Sequence, residues 1–213
     1  MQQQGRGLAP LTGLAFVVLV IVGFAVGGEP PDLDEPAQEL VDFYSEDKDL
    51  RFLGASLAAV GATLFVFFGG YLKTVLQDAE RPAPGPLPTI MFAGVLIFAT
   101  GVAIDSTITF ALAETATDID PAAVQALAAL FQNDFIPLAV GLQIFLLALG
   151  FSILRHRALP KWIGWIAILF GLIAVTPIGF VAFFAAGLLT IVMSILLAMR
   201  ARRDPPAREG TTG

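Results

Sequence analysis

At residues 89–113 the chain carries the run TIMFAGVLIFATGVAIDSTITFALA, in which nearly every side chain is apolar. A helix needs about 20 such residues to cross the roughly 30 Å hydrocarbon core of a bilayer. One carboxylate, Asp105, lies inside the run. Ionisable groups at membrane depth are costly and usually face protein or a water-filled cavity, so Asp105 is a candidate functional residue.

The composition of the chain agrees with lipid as its solvent. Of the 213 residues, 56% are hydrophobic and only 14% are charged, whereas soluble proteins are about 25% charged. The chain has no cysteine and one histidine, His156, which excludes thiolate chemistry and most metal sites. We therefore predict a protein whose main partner is the lipid bilayer, with no cofactor, no metal and no nucleic-acid partner.

The same length criterion divides the chain into six apolar segments. The run 162–199 has no charge and would be about 57 Å long as one helix, so we divide it at the turn Thr176-Pro177-Ile178-Gly179. The predicted fold is an all-α, polytopic membrane protein with one transmembrane domain, 1–203, and a disordered cytoplasmic tail, 204–213. Its six predicted spans are 8–26, 52–72, 89–113, 135–154, 162–176 and 179–199.

The first predicted span has a rival interpretation as a secretory signal, because the small residues Ala25-Val26-Gly27 follow it. Its apolar part of about 19 residues exceeds the usual 7–15 of a signal peptide. This length favours an uncleaved span.

Two short extracytoplasmic interfacial helices are predicted between the spans. Asp34 is expected to cap a helix at about 35–44, and Asp120-Pro121 is a strong start for a second one that ends near Asn133. The apolar side of the first helix is expected to lie on the membrane surface. Residues 74–88 are predicted to form a loop because their second half is rich in proline.

Charge sorting supports this count of spans. With six spans, one side of the membrane carries ten of the twelve basic residues, and the other carries thirteen of the eighteen acidic residues. Because basic residues are retained in the cytoplasm, both termini are predicted to be cytoplasmic, in a multi-pass protein of the plasma membrane. Five spans would instead place four arginines outside.

Small residues mark the helix faces that pack against other helices. Gly54, Ala58 and Ala62 recur every four residues in the second span, a pattern that permits close helix approach. Gly94, Gly101 and Asp105 share one face of the third span. We expect that face to contact protein rather than lipid.

Asp105 and Gln143 form the candidate intramembrane polar site. Each lies eight residues from the same end of its predicted span, at a depth of about 12 Å, so we predict a hydrogen bond between them. The pair would act either as an interhelical contact worth about 1 kcal/mol or as a proton or cation site. A third alternative is that Asp105 reaches the outer headgroups.

The remaining candidate residues are weaker. His156 lies in the basic turn 155–161 and is expected to be a solvated interface residue rather than a proton relay. The sequence contains no nucleotide-binding, zinc-protease or serine-hydrolase motif. The basic tail, with acidic residues interspersed, is a weak candidate for contact with anionic lipids.

The turn Leu159-Pro160-Lys161-Trp162-Ile163-Gly164-Trp165 resembles a feature of a loose group of bacterial six-span membrane proteins of unknown function. The pair Phe43-Tyr44 and the proline-glycine loop 82–88 are similar to features of the same group. The resemblance implies a six-span fold in a bacterial inner membrane. It implies no activity and no site residues.

These observations leave three functional hypotheses. The first is a non-enzymatic bundle that serves packing or contact with a membrane-protein partner or a second copy of itself. The second is a small transporter or channel-like protein in which Asp105 and Gln143 line a polar path, although no internal repeat supports it. A membrane-embedded enzyme ranks third, because no catalytic constellation is found. The sequence identifies no small-molecule substrate.

Overall fold

The computed structural model describes residues 8–80, 82–83 and 85–203, so the predicted disordered tail, 204–213, lies outside the described residues. Helices dominate this part of the chain, and it contains no strand. The helices are α1 (Leu11–Gly27), α2 (Ala37–Glu46), α3 (Lys48–Ala79), α4 (Leu87–Thr115), α5 (Pro121–Asn133), α6 (Ile136–His156), α7 (Lys161–Ile173) and α8 (Phe180–Arg203).

The all-α membrane class is confirmed at the level of helix length and composition. Four helical segments are long and apolar enough to cross a bilayer: Lys48–Ala79, Leu87–Thr115, Pro121–His156 and Phe180–Ala201. The third of these joins α5 and α6 across a two-residue break. Helices α1 and α7 are apolar but shorter, with 17 and 13 residues.

Several predicted boundaries are confirmed. Asp120 caps α5, because its Oδ1 accepts a hydrogen bond of 2.8 Å from the backbone N–H of Ala122. The division of the long apolar run is also confirmed. Helix α7 ends at Ile173, a turn follows, and α8 begins at Phe180.

Two predicted boundaries are wrong. Helix α3 continues to Ala79 instead of ending near residue 72, because Leu72 and Leu76 extend its buried face by another turn. Helix α2 begins at Ala37, and its N-cap is Pro36 rather than Asp34.

Six helices form a closed ring in chain order. Helix α1 packs against α3, α3 against α4, α4 against α6, α6 against α7, and α7 against α8, which returns to α1. Glycines allow the closest of these contacts. A methyl group added at Gly54 of α3 would lie 2.8 Å from the Cα of Gly27, and one added at Gly141 of α6 would lie 2.8 Å from the Cα of Phe98 in α4. The small-residue face predicted on α3 therefore packs against α1.

Phenylalanine rings fill the centre of the ring of helices. The ring of Phe65 on α3 lies 4.4 Å from that of Phe16 on α1, 5.6 Å from that of Phe98 on α4 and 5.4 Å from that of Phe145 on α6. The ring of Phe183 on α8 also packs against that of Phe98. The bundle therefore has an apolar, aromatic centre.

A second hydrophobic cluster lies at one end of the bundle. The last turns of α4 extend past the start of α6 and pack against α2 and α5. We call this assembly of α2, α5 and the last turns of α4 the acidic cap, and the opposite end, around residues 155–161, the basic end. The buried residues of the cap are Leu40, Val41, Tyr44, Ile108, Leu112, Ala116, Val124 and Ala128. The apolar side of α2 is thus buried against protein rather than spread on a membrane surface.

Candidate functional site

Asp105 lies on α4 at the junction between the bundle and the acidic cap. It shares a face of the helix with Ile108 and Leu112, which belong to the cap cluster. Its Oδ1 atom is buried and has no hydrogen-bond partner among the described residues. The side chain as a whole is half-buried. A buried carboxylate oxygen without a partner is costly, so Asp105 stays a candidate functional residue.

Gln143 does not join Asp105, and the predicted hydrogen bond is wrong. Phe98 of α4 lies beside Gly141 of α6, and Gly101 lies beside Leu138. In this antiparallel register Asp105 lies level with the residues just before α6. Gln143 lies roughly 13 Å further along the bundle at helical rise, and its side chain makes no hydrogen bond to the described residues.

The physical reason for this error is the length of α4. Asp105 and Gln143 would lie at equal depths only if α4 ended at the level where α6 begins. The last turns of α4 instead continue beyond α6 into the acidic cap, where they are buried by α2 and α5. The charged residue whose field acts on Asp105 is Asp134, in the break between α5 and α6. A functional role for Asp105 and for Gln143 stays a prediction.

Arg51, which the sequence did not single out, joins three helices at the acidic cap. Its guanidinium group donates hydrogen bonds to the carbonyl oxygens of Gly27 at the end of α1 and of Phe43 in α2. It also lies 3.7 Å from the centroid of the Phe43 ring, a favourable cation–π geometry. The side chain is buried. Arg51 therefore fixes α1 and α2 to the start of α3.

The two basic residues at this end are both engaged. Arg51 is bound as above, and the Nζ atom of Lys48 lies 3.2 Å from a carboxylate oxygen of Glu114. The exposed surface of the cap is consequently dominated by carboxylates. Twelve carboxylates of the cap and of the chain segments beside it are exposed: Glu29, Asp32, Asp34, Glu35, Glu39, Asp42, Glu46, Asp47, Asp49, Glu114, Asp118 and Asp120.

Tyr44 places a hydroxyl group inside the cap cluster. The residue is 2% exposed, and its hydroxyl has no hydrogen-bond partner among the described residues. Burial disfavours the phenolate and raises the pKa of Tyr44 to about 12, although the nearby charge of Arg51 opposes this effect.

At the basic end, Glu80 forms a polar centre that the sequence analysis missed. Its side chain is only 1% exposed. One carboxylate oxygen accepts a hydrogen bond of 2.9 Å from the hydroxyl of Ser152, and the other accepts one of 2.7 Å from the backbone N–H of Gly85. The Nε2 atom of His156 lies 3.6 Å from the carboxylate. His156, which was expected to be a solvated interface residue, is partly buried beside this carboxylate.

A weak signal for this centre was present in the sequence. Ser152 and His156 are four residues apart and share a face of α6. Nothing in the sequence, however, shows that the end of α3 meets that face.

The arrangement around Glu80 ties the end of α3, Gly85 and the last turns of α6 together. Ser152 is fully buried, and its hydroxyl donates to the carboxylate rather than to an imidazole nitrogen. Within the described ranges no group of three or more His, Asp or Glu side chains could hold a metal ion.

No protein-family model matches this chain. Neither the curated proteins nor the solved structures contain a significant match to it. Any functional conclusion must therefore come from the geometry described above.

Proposed function

We propose that the chain is a multi-pass protein of the plasma membrane that crosses the bilayer six times. Helices α1 and α7, about 25 Å and 20 Å long at helical rise, complete the ring begun by the longer helices. Helix α7 reaches only part of the way across a 30 Å core. The turn that follows it exposes the apolar side chains of Val175 and Ile178, which suit the remaining depth.

The charges support cytoplasmic termini. Arg200 near the end of α8 donates a hydrogen bond of 2.6 Å to the carbonyl oxygen of Ala158, just before α7. Helix α7 therefore begins at the basic end, and α8 ends there. Basic residues are preferentially retained in the cytoplasm. The basic end would then face the cytoplasm, and the acidic cap would face the exterior.

This orientation can be tested in intact cells, because the chain has no cysteine of its own. A membrane-impermeant maleimide should label Thr117→Cys, at the acidic cap, from outside. It should label Ala83→Cys, at the basic end, only after permeabilisation. The opposite pattern would reverse the orientation.

The role that the geometry supports best is that of a non-enzymatic bundle whose acidic cap binds a partner protein. One observation carries this proposal: the cap is a folded unit with its own hydrophobic cluster, and its exposed charged residues are almost all acidic. The aromatic centre of the bundle favours a packing role for the helices over a solute path. A cap of this charge suits a partner with a basic surface, since complementary potentials guide association.

Co-purification in mild detergent tests the role of the cap. In the test variant, Glu39→Gln, Asp42→Asn and Glu46→Gln neutralise three exposed carboxylates of α2. A partner protein should co-purify with the wild type and with the control variant Lys73→Gln, at the basic end, and should be lost from the triple variant. Retention of the partner by the triple variant, or purification of the wild type alone, would contradict the proposal.

A specific observation favours a second candidate, a small transporter: the unpartnered buried oxygen of Asp105. Such a group suits transient binding of a proton or cation. Proteoliposomes containing the wild type and Asp105→Asn would separate the candidates. A proton or cation flux that the wild type shows and Asp105→Asn lacks would replace the partner-binding role, and equal, background flux in both would leave that role in place.

A further inference from the structure

The basic end presents a compact cationic surface. Arg155, Arg157 and Lys161 fall within seven residues, and all three are exposed. They make no ion pair with the described residues. Arg200 brings a fourth exposed cation to the same turn through its hydrogen bond to Ala158.

The carboxylate nearest to this turn does not cancel its charge. Glu80 is buried, and it faces Ser152, Gly85 and His156 rather than the surface. Because His156 turns inward toward Glu80, the outward-facing cations of the turn are guanidinium and ammonium groups.

The turn is also held in place by the fold. Glu80 binds two side chains in the last turns of α6. Arg157 then ends this helix in a left-handed conformation, with φ of 58°, and Leu159 is buried in the main core. The cations are thus carried by a short, anchored segment and not by a free tail.

Two tryptophans place this surface at the headgroup level. Trp162 and Trp165 are exposed at the start of α7 and share a face with the exposed Leu169 and Leu172. That face suits lipid chains, and tryptophans favour the boundary between lipid chains and headgroups. The cationic turn comes directly before them, so it lies where lipid phosphates lie.

We propose that the turn 155–161, with Arg200, binds the headgroup of an anionic phospholipid in the leaflet at the basic end. Guanidinium groups pair with phosphate oxygens in bidentate fashion, and Lys161 adds a point charge. The tryptophans contact the acyl chains of the same lipid. This inference rests on the membrane embedding of the bundle and not on the role of the acidic cap.

Quenching by brominated lipids tests the proposal, because Trp162 and Trp165 are the only two tryptophans in the chain. The protein is reconstituted into phosphatidylcholine vesicles with a low fraction of phosphatidylglycerol. Either that phosphatidylglycerol or an equal fraction of phosphatidylcholine carries brominated acyl chains. Attraction by several cations should make quenching by brominated phosphatidylglycerol about threefold stronger than quenching by brominated phosphatidylcholine.

The matched variants decide the result. The combination Arg155→Gln, Arg157→Gln and Lys161→Gln should reduce the quenching ratio of the two lipids to about one, whereas Lys73→Gln should retain the wild-type ratio. Quenching of the triple variant by brominated phosphatidylcholine shows whether its tryptophans still reach the bilayer. If the triple variant does not insert, high salt applied to the wild type replaces it and should lower the ratio, because salt screens exposed charges.

Equal quenching of the wild type by the two lipids would overturn the proposal, as would a ratio that neither the substitutions nor salt reduces. Quenching by brominated phosphatidylcholine alone would still show that α7 reaches the bilayer. Failure of the lipid site is therefore distinguishable from failure of the membrane assignment.

Discussion

Replacement of Gly141 by alanine should weaken the bundle, whereas the same replacement at Gly70 should not. A methyl group at Gly141 would lie 2.8 Å from the Cα of Phe98 and 2.9 Å from the carbonyl oxygen of Gly94. Both atoms belong to the backbone of α4 and cannot rotate away. At Gly70 the nearest atom is the Cε2 of Phe92, at 3.9 Å, an ordinary contact.

The magnitude follows from the separation that α4 and α6 would need. Carbon atoms prefer contacts of about 3.5–4.0 Å, so the helices must separate by about 1 Å, which forfeits a quarter to a half of each affected contact. Overpacking of this kind costs about 1–3 kcal/mol, and the better helix propensity of alanine returns up to about 1 kcal/mol. We expect Gly141→Ala to lose about 1–2 kcal/mol, and Gly70→Ala to be neutral or stabilised by up to about 1 kcal/mol.

The free energy of unfolding can be measured by titration with sodium dodecyl sulfate in mild detergent. Tryptophan emission is the readout, because both tryptophans lie on α7, which packs against α6. The two variants should differ by about 2 kcal/mol. If Gly141→Ala is as stable as Gly70→Ala, the close approach of α4 and α6 is wrong.

Three further predictions concern single polar groups. Glu80→Ala should lower the free energy of unfolding by about 3 kcal/mol in the same titration, since it leaves a buried hydroxyl and an N–H group unpaired. Glu80→Gln, which keeps one acceptor oxygen and nearly the same volume, should lose about half as much. No loss in Glu80→Gln would show that the carboxylate acts only by its volume, and a loss equal to that of Glu80→Ala would show that the remaining acceptor contributes nothing. Tyr44→Phe should be neutral or stabilising at pH 7, because the lost hydroxyl has no partner among the described residues. The pKa of Tyr44 in the folded protein, about 12, exceeds the ordinary value of 10, so the stability of the wild type should fall as pH rises from 10 to 12. A fall of the same size in Tyr44→Phe would show that other groups cause it. Asp120→Ala should cost about 1 kcal/mol through loss of the helix cap, visible as faster amide hydrogen exchange in the first turn of α5, and unchanged exchange there would contradict the role of the cap.

The sequence predicted best those features that depend on the residues of a single helix or turn. The apolar run at 89–113, the cap at Asp120 and the break near Pro177 each depend on a short stretch of chain, and each is confirmed. The face of α3 around Gly54 could be recognised as an interhelical contact for the same reason. Its partner, α1, could not be named from the sequence.

Relations between helices were harder to predict. The level of Asp105 relative to Gln143 depends on how far α4 extends beyond the start of α6. The apolar composition of α4 does not show which of its turns lie in the bundle and which lie in the acidic cap. The burial of Glu80 depends on Ser152 and His156, more than 70 positions later in the chain. The sequence predicts only a loop at residues 74–88, and it does not show that the end of α6 covers Glu80.

The ring of helices has a consequence for biogenesis. Because α3, α4, α6 and α7 each pack extensively against the preceding helix of the ring, the bundle can assemble stepwise as the chain is synthesised, and contacts over short sequence separations form fast. The contact between α8 and α1, which closes the ring, forms only at the end of translation. A stalled or truncated chain would lack this contact and would leave Gly13 of α1, which faces Ser194 in the complete bundle, exposed to quality control.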